Sequence, residues 1–299
     1  MKVTITGGTS FIGTHLIRRL IADGYEITVL ARDPDKVPGL RTIDQVRFVQ
    51  GTLTSREAIR EALSQSDALV HVALGWGDTG ASMARADTLP AIDLFEAAAD
   101  LGVAQLLYTS SIAVFDTTPM RFTDEIAAKP ARYYGATKAA NEAYLMATAG
   151  ERGLKANVIR PGYTFGNPAF EGAPIQSMPE LPDIVRSAAR GEDITVVRNS
   201  GLQFIWADDL ARVFAAVLSS DVDREYFTAL SPEFITWEEI ATWAIDLADA
   251  SSRLVVTDRG VTPAAMSYDV SAIKDRFNLA FDARTPLRSH LEYLLHRGD

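Results

Sequence analysis

Apolar positions in the first half of the chain switch repeatedly between a strand period and a helical period. Val3-Thr4-Ile5 is a short β-branched run, and Phe11, Ile12, Leu16, Leu20 and Ile21 follow close to the i, i+4 stripe of an amphipathic helix. Gly24 ends that helix, and Ile27-Thr28-Val29-Leu30 supplies the next strand. Val46-Arg47-Phe48-Val49 predicts a third strand, and Thr54-Ser55-Arg56-Glu57 has the spacing of a capping box that opens a helix through Leu63. Apolar runs at 68–74 and 106–110 bracket a predicted helix over 84–101. Strands alternating with helices at this interval predict an α/β fold, a doubly wound parallel sheet.

After Arg160-Pro161-Gly162 the rhythm breaks. Pro161, Pro168, Pro174, Pro179 and Pro182 crowd a stretch that also holds Gly162, Gly166 and Gly172, which predicts loops in place of a sheet interior. Helical patterns return at 181–190, 208–219, 237–250 and 287–295, with short strands between. The expected division is a nucleotide-binding unit over 1–160 and, over 161–299, a smaller C-terminal substrate-binding lobe, with about 194–220 returning to the main sheet. Trp237-Glu238-Glu239 has the acidic first turn that suits a helix dipole.

Composition narrows the chemistry. The 299 residues include no cysteine, which removes disulfides, zinc ribbons, iron–sulfur clusters and thiol catalysis. The four histidines show no metal spacing, so no metal site is expected. A net charge of −10 argues against nucleic acid as a partner. No apolar run approaches the ~20 residues of a membrane span. Met1-Lys2 runs straight into a strand pattern without a signal peptide's apolar block, so a soluble cytoplasmic protein is expected.

Thr6-Gly7-Gly8-Thr9-Ser10-Phe11-Ile12-Gly13 stands where the first strand turns into the first helix. Helix N-terminal amides and the positive dipole end suit a pyrophosphate there. Gly7 permits a tight turn and Gly13 a close helix–strand approach. At the end of the second strand the position that would hold a ribose-binding carboxylate is Ala31, and Arg32 follows. A guanidinium pairs bidentately with a 2′-phosphate, so NADP is favoured over NAD as the cofactor. Tyr134 and Lys138 are four residues apart, hence on one helical face, where a cation would lower the phenol's pKa and make it a usable acid–base. Tyr108-Thr109-Ser110-Ser111 ends an upstream strand, where a hydroxyl can bond a substrate oxygen or else cap a turn.

Together these motifs resemble the extended short-chain dehydrogenase/reductase superfamily, in particular the NAD-dependent epimerase/dehydratase family, over nearly the whole chain. Residues 6–13 are similar to its TGxxGxxG loop, with Ser10 in place of the middle glycine. Ser110-Ser111-Ile112-Ala113-Val114-Phe115 is similar to the family's SSxxVY stretch, and Tyr134 and Lys138 match its YxxxK pair. The resemblance implies a Rossmann-type fold with Ser111, Tyr134 and Lys138 as catalytic residues. It implies cofactor contacts at Gly7, Thr9, Ser10, Phe11, Ile12, Gly13, Arg32, Leu53, Ala73, Tyr134, Lys138 and Pro161, with Lys138 on the nicotinamide ribose. A homodimer through the tyrosine-bearing helix, lined by Ala139, Ala140, Ala143 and Ala147, is a further implication. Family members acting on nucleotide-diphosphate sugars usually carry an asparagine and an arginine where this chain has Tyr163 and the Leu202-Gln203 stretch. A family asparagine before the central helix is replaced by Asp87.

The leading expectation is an NAD(P)-dependent oxidoreductase, NADP favoured, that transfers hydride to or from a small hydroxyl or carbonyl substrate by a Ser-Tyr-Lys mechanism. A nucleotide-sugar epimerase or dehydratase uses the same parts and stands second. A non-catalytic NADP-sensing regulatory protein is the third alternative. Trp76 is a candidate border of the substrate site, whereas Trp206 is expected in the core.

Overall fold

The computed structural model describes residues 1–297 of the 299. Its central sheet has seven strands, all parallel, in the spatial order Tyr226–Ala229, Lys155–Pro161, Gln105–Thr109, Ala68–His71, Lys2–Thr6, Glu26–Ala31, Val46–Gln50. The chain begins in the middle, builds outward to Val46–Gln50, then crosses back and builds the other way. The strand order therefore reverses between Lys2–Thr6 and Ala68–His71, and a crevice opens at their carboxyl ends.

Burial on both faces explains the β-branched strand cores. Ile5, Val29, Leu69, Val70, Leu106 and Leu107 are all fully buried. Helices Phe11–Ala22 and Ala207–Leu218 pack against each other and share one core with Ile5, Val29 and Val70. Helices Arg56–Leu63, Leu89–Asp100 and Tyr133–Arg152 share the opposite core with Leu69, Leu106 and Val158. A third core holds Leu181, Ile240 and Leu287 of helices Glu180–Ala189, Trp237–Ala248 and Arg284–Arg297.

Three expectations are corrected. Segment 194–220 does not return to the sheet as a strand: Ile194–Val197 pairs with Leu254–Thr257, and Gly201–Trp206 with Tyr163–Phe165 and Phe234–Thr236. Only its helix, Ala207–Leu218, packs on the main body, and the strand completing the sheet is Tyr226–Ala229, so residues beyond 160 finish the first unit. The helix after Thr54 is capped by Ser55, whose hydroxyl accepts from Ala58 N at 3.4 Å, because Thr54 is held in a turn with Thr52. The helix expected at 84–101 starts earlier, at Gly80–Met83, and widens into a π-turn over Ala84–Thr88 before continuing as Leu89–Asp100. Pro90 explains the widening. It has no amide to give the Ala86 carbonyl one turn back, and Leu89 N bonds Ala84 O instead.

The Tyr133–Arg152 helix is fastened to the sheet by charge. Arg160, at the end of its strand, grips Glu142 with two bonds, Nε–Oε1 at 2.9 Å and Nη2–Oε2 at 2.8 Å. Both side chains are only 4% exposed, and the guanidinium also lies over the Tyr226 ring, 4.5 Å from its centroid. Removing one partner strands a buried charge, which costs more than the pair contributes. Glu142→Leu should therefore lose about 3–5 kcal/mol of unfolding free energy in denaturant titrations, and adding Arg160→Met to it should recover most of that loss.

Candidate active site

The crevice at the strand-order reversal is a groove of about 390 Å³. Gly7, Thr9 and Ser10 line it from the first strand-to-helix turn, Arg32 from the end of Glu26–Ala31, Leu53 from beyond Val46–Gln50, and Ala73 from beyond Ala68–His71. The glycines are required sterically. Gly7 has φ +74°, and a Cβ there would stand 2.6 Å from Ala73 N. A Cβ on Gly13 would stand 2.2 Å from Gly7 O, so the helix could not sit this close to the turn. Ser10, which stands in place of the middle glycine of the TGxxGxxG pattern, is extended at φ −84° and caps the helix by accepting from Gly13 N at 3.2 Å. The amides of Phe11 and Ile12 carry no protein partner among the described residues, leaving two donors at the positive end of the helix. Phe11 itself turns inward against His15, with ring centroids 4.9 Å apart.

Sequence reasoning missed Lys36. It lines the groove beside Arg32, brought there by the Pro34–Lys36 turn that Asp33 caps through Asp35 N at 3.0 Å. Asp33 is thereby occupied, and neither Arg32 nor Lys36 makes an ion pair among the described residues. The Asp33-Pro34 pair was the available signal, since it marks a tight turn that ends two residues before the cation. Pro161 does not line the groove: it is buried at the end of its strand, paired with Ala229.

Ser111, Tyr134 and Lys138 meet at the carboxyl ends of the Gln105–Thr109 and Lys155–Pro161 strands. Ser111 caps the short turn Ile112–Val114, accepting from Ala113 N at 3.1 Å, and its hydroxyl lies near the Tyr134 phenol, where it favours the phenolate. Ser110 is 2% exposed, its hydroxyl without a partner among the described residues, whereas Ser111 is half-buried and the more accessible of the two. Trp76 lies over Tyr134, with centroids 6.1 Å apart, and is 66% exposed at the mouth of the site. Trp206 packs against the third core.

Lys138 is 3% exposed and donates to the Thr109 carbonyl at 2.9 Å. It stands 4.9 Å from the Tyr108 ring centroid and 6.0 Å from that of Tyr134. Burial pulls its ammonium down to about 8, against the charges of Asp87 and Glu142. The expected lowering of Tyr134 is not what this geometry produces. Burial raises its phenol, the Ser111 bond opposes the rise, and the Asp87 charge adds to it. A phenol held up in this way is protonated at neutral pH. His71 lies beneath, bonded through Nδ1 to Thr6 Oγ1 at 2.6 Å and stacked on Tyr108.

Residues 3–227 match the sequence model of the NAD dependent epimerase/dehydratase family. The chain is 28% identical over 195 residues to 4-hydroxy-2-methyl-3-oxo-4-farnesyl-3,4-dihydroquinoline-1-oxide ketoreductase of Stigmatella aurantiaca, covering 62% of this chain and 56% of that protein. It is 25% identical over 328 residues to dTDP-4-dehydro-6-deoxy-D-allose reductase of a Streptomyces species, covering 99% of this chain and 97% of that protein. The chain spans between half and two thirds of the length of the first curated relatives it matches. UDP-glucuronic acid 4-epimerase of Bacillus cereus, solved in complex with NAD, superposes over 100% of both chains with a TM-score of 0.81 at 17% identity, which shows a shared fold.

The buried histidine gives a pH test. Burial lowers His71 from 6.5 to about 3, so between those values the unfolded chain binds a proton that the native chain refuses. Stability is then lost as pH falls from 6.5 toward 3. In His71→Gln, the loss of unfolding free energy between pH 7 and pH 4.5 should be smaller than in the wild type by about 2–3 kcal/mol.

Proposed function

Because the chain belongs to the NAD dependent epimerase/dehydratase family, we propose that it is an NADP-dependent oxidoreductase that reduces, or in reverse oxidises, a small carbonyl or hydroxyl compound. The observation that carries the cofactor choice is the pair Arg32 and Lys36, two exposed, unpaired cations on the groove where a carboxylate would suit NAD. The groove fits such a dinucleotide. Gly7 and Gly13 leave no room for a Cβ, and the Phe11 and Ile12 amides face the position of a pyrophosphate.

Bound there, a nicotinamide dinucleotide supplies or accepts the hydride. The protein's own part is to orient and to move a proton. Ser111 donates to the substrate oxygen and holds it toward Tyr134. Tyr134, kept protonated by burial, gives its proton to that oxygen as the carbonyl is reduced. Lys138 presents a fixed ammonium to the cofactor ribose and stabilises the phenolate left behind. Trp76 covers the reacting side from solvent.

Nucleotide-sugar chemistry is the second reading, favoured by the full-length Streptomyces relative. The substrate side argues against it. Tyr163 and the Leu202-Gln203 stretch, which carry no cation, line a cavity of about 190 Å³ with Pro119, Phe234, Met266 and Tyr268 among others, and Arg121 of the adjoining cavity is paired with Asp269 at 3.1 Å. Arg198, the nearest replacement in sequence for a diphosphate clamp, pairs instead with Asp258 at 3.6 Å. A homodimer would use the exposed face of Tyr133–Arg152, where Ala143, Tyr144 and Ala147 lie open and Ala139 and Ala140 are half-buried.

Two measurements decide the reading. NADPH should bind more tightly than NADH, and Arg32→Ala or Lys36→Ala should weaken NADPH about tenfold or more while leaving NADH nearly unchanged. Tighter NADH binding by the wild type overturns the NADP assignment. Tyr134→Phe should lower turnover of a carbonyl found by screening about 10²–10⁴-fold with NADPH affinity preserved; unchanged turnover removes Tyr134 from the chemistry.

A further inference from the structure

Asp87 is 1% exposed, lies in the π-turn, and pairs with no cation at ion-pair distance among the described residues. Its Oδ1 accepts from Gly75 N at 2.8 Å, and its Oδ2 from Asn141 Nδ2 at 3.0 Å. Two neutral donors satisfy its lone pairs but do not cancel its charge, and an uncompensated charge is rarely kept in such a place. Gly75 belongs to the groove wall and packs so close to the π-turn that a Cβ there would stand 1.9 Å from Ala86 O. Asn141 belongs to the helix of Tyr134 and Lys138, and its Nδ2 also donates to the Tyr108 hydroxyl at 2.9 Å. The Tyr108 ring in turn lies under the Lys138 ammonium.

The charges facing Lys138 can be followed one element at a time. Its own helix presents Tyr134 and Glu142, the Gln105–Thr109 strand presents Tyr108 and the Thr109 carbonyl, the Ala68–His71 strand presents His71, and the π-turn presents Asp87. Tyr108 and Tyr134 are phenols raised by burial, and His71 is neutral. The Glu142 charge is already taken by the Arg160 fork. The cluster thus holds two buried cations, Lys138 and Arg160, and two buried carboxylates, of which Glu142 is spent on Arg160.

We propose that Asp87 is a positioning residue: its carboxylate is the counter-charge of Lys138, spaced from it by Asn141 and Tyr108, and it ties that charge to the groove wall through the Gly75 amide. Cofactor-groove shape and the ammonium at the site floor are then set by one side chain. An asparagine at this place would keep the wall bond and lose the charge. The proposal rests on the reading of Lys138 as the group that holds a dinucleotide ribose, and it extends that reading to the residue behind it.

The test compares wild type, Asp87→Asn and Asp87→Glu in two titrations from pH 6 to 9.5. One follows the Lys138 ammonium by nitrogen-15 NMR without nucleotide; the other follows NADPH affinity by fluorescence. For the wild type, NADPH affinity should weaken as pH rises through about 8, where burial places Lys138. In Asp87→Asn both midpoints should fall by about one pH unit, so that NADPH binds about threefold more weakly at pH 7.5, about tenfold more weakly at pH 9, and within about twofold of wild type at pH 6. Asp87→Glu should restore most of the shift, which a purely structural role would not. If Asp87→Asn does not fold, Asp87→Ser, which keeps a hydroxyl acceptor for Gly75 N, carries the same comparison. An unshifted Lys138 midpoint in a folded neutral variant overturns the proposal. Failure of the wild type to bind any nicotinamide dinucleotide overturns the functional reading, and the NMR midpoints then decide the role of Asp87 alone.

Discussion

The seating of one helix on the ends of the parallel strands is the constraint on which this site depends. Tyr133–Arg152 carries Lys138, Asn141 and Glu142 on its inner side, and each makes a polar bond to something the sheet supports. Glu142 meets Arg160, Asn141 meets Tyr108, and Lys138 meets the Thr109 carbonyl. Apolar contact alone would leave the helix free to slide by fractions of a turn. Directional bonds from buried groups have one good register, and leaving any of them unmade costs more than making it contributes. Tyr134, one turn before Lys138, is placed by that register beside Ser111.

A second consequence follows from Pro90. By removing one helical amide it opens the π-turn that turns Asp87 inward, and it does so next to the groove that the same proline lines. A regular helix would rotate every residue before the proline relative to those after it. The irregularity thus converts a backbone defect into the placement of a buried carboxylate between two working surfaces. The two balance sheets of the site, steric and electrostatic, meet at this turn.

The acidic surplus of the chain gains meaning at the groove. A protein of net charge −10 repels a multiply anionic ligand at long range, so attraction has to be local and short-range. It is supplied by the open amides of Phe11 and Ile12 and by Arg32 and Lys36, all on the same crevice or its edge. Positive groups are thus gathered on one groove of an acidic protein.

The sequence by itself determined the features that depend on neighbours in the chain. Strand and helix periods announced the parallel sheet, since period reflects which face is buried. The glycine turn at 6–13 was legible because glycine spacing encodes steric clearance, and Tyr134 with Lys138 because four residues make one helical turn. Only the tertiary structure decided what depends on distant partners. Lys36 reaches the groove through a turn, Tyr226–Ala229 joins the sheet from beyond the expected boundary, and Pro161 is buried in its strand away from the groove. The ionisation of Tyr134 also runs opposite to its local pattern. A nearby lysine predicts an acidic phenol, but solvation is set by everything packed around the ring, and burial outweighs one neighbour whose charge is already shared with Thr109 and Tyr108. Local spacing names the chemical groups, and long-range packing sets their charge.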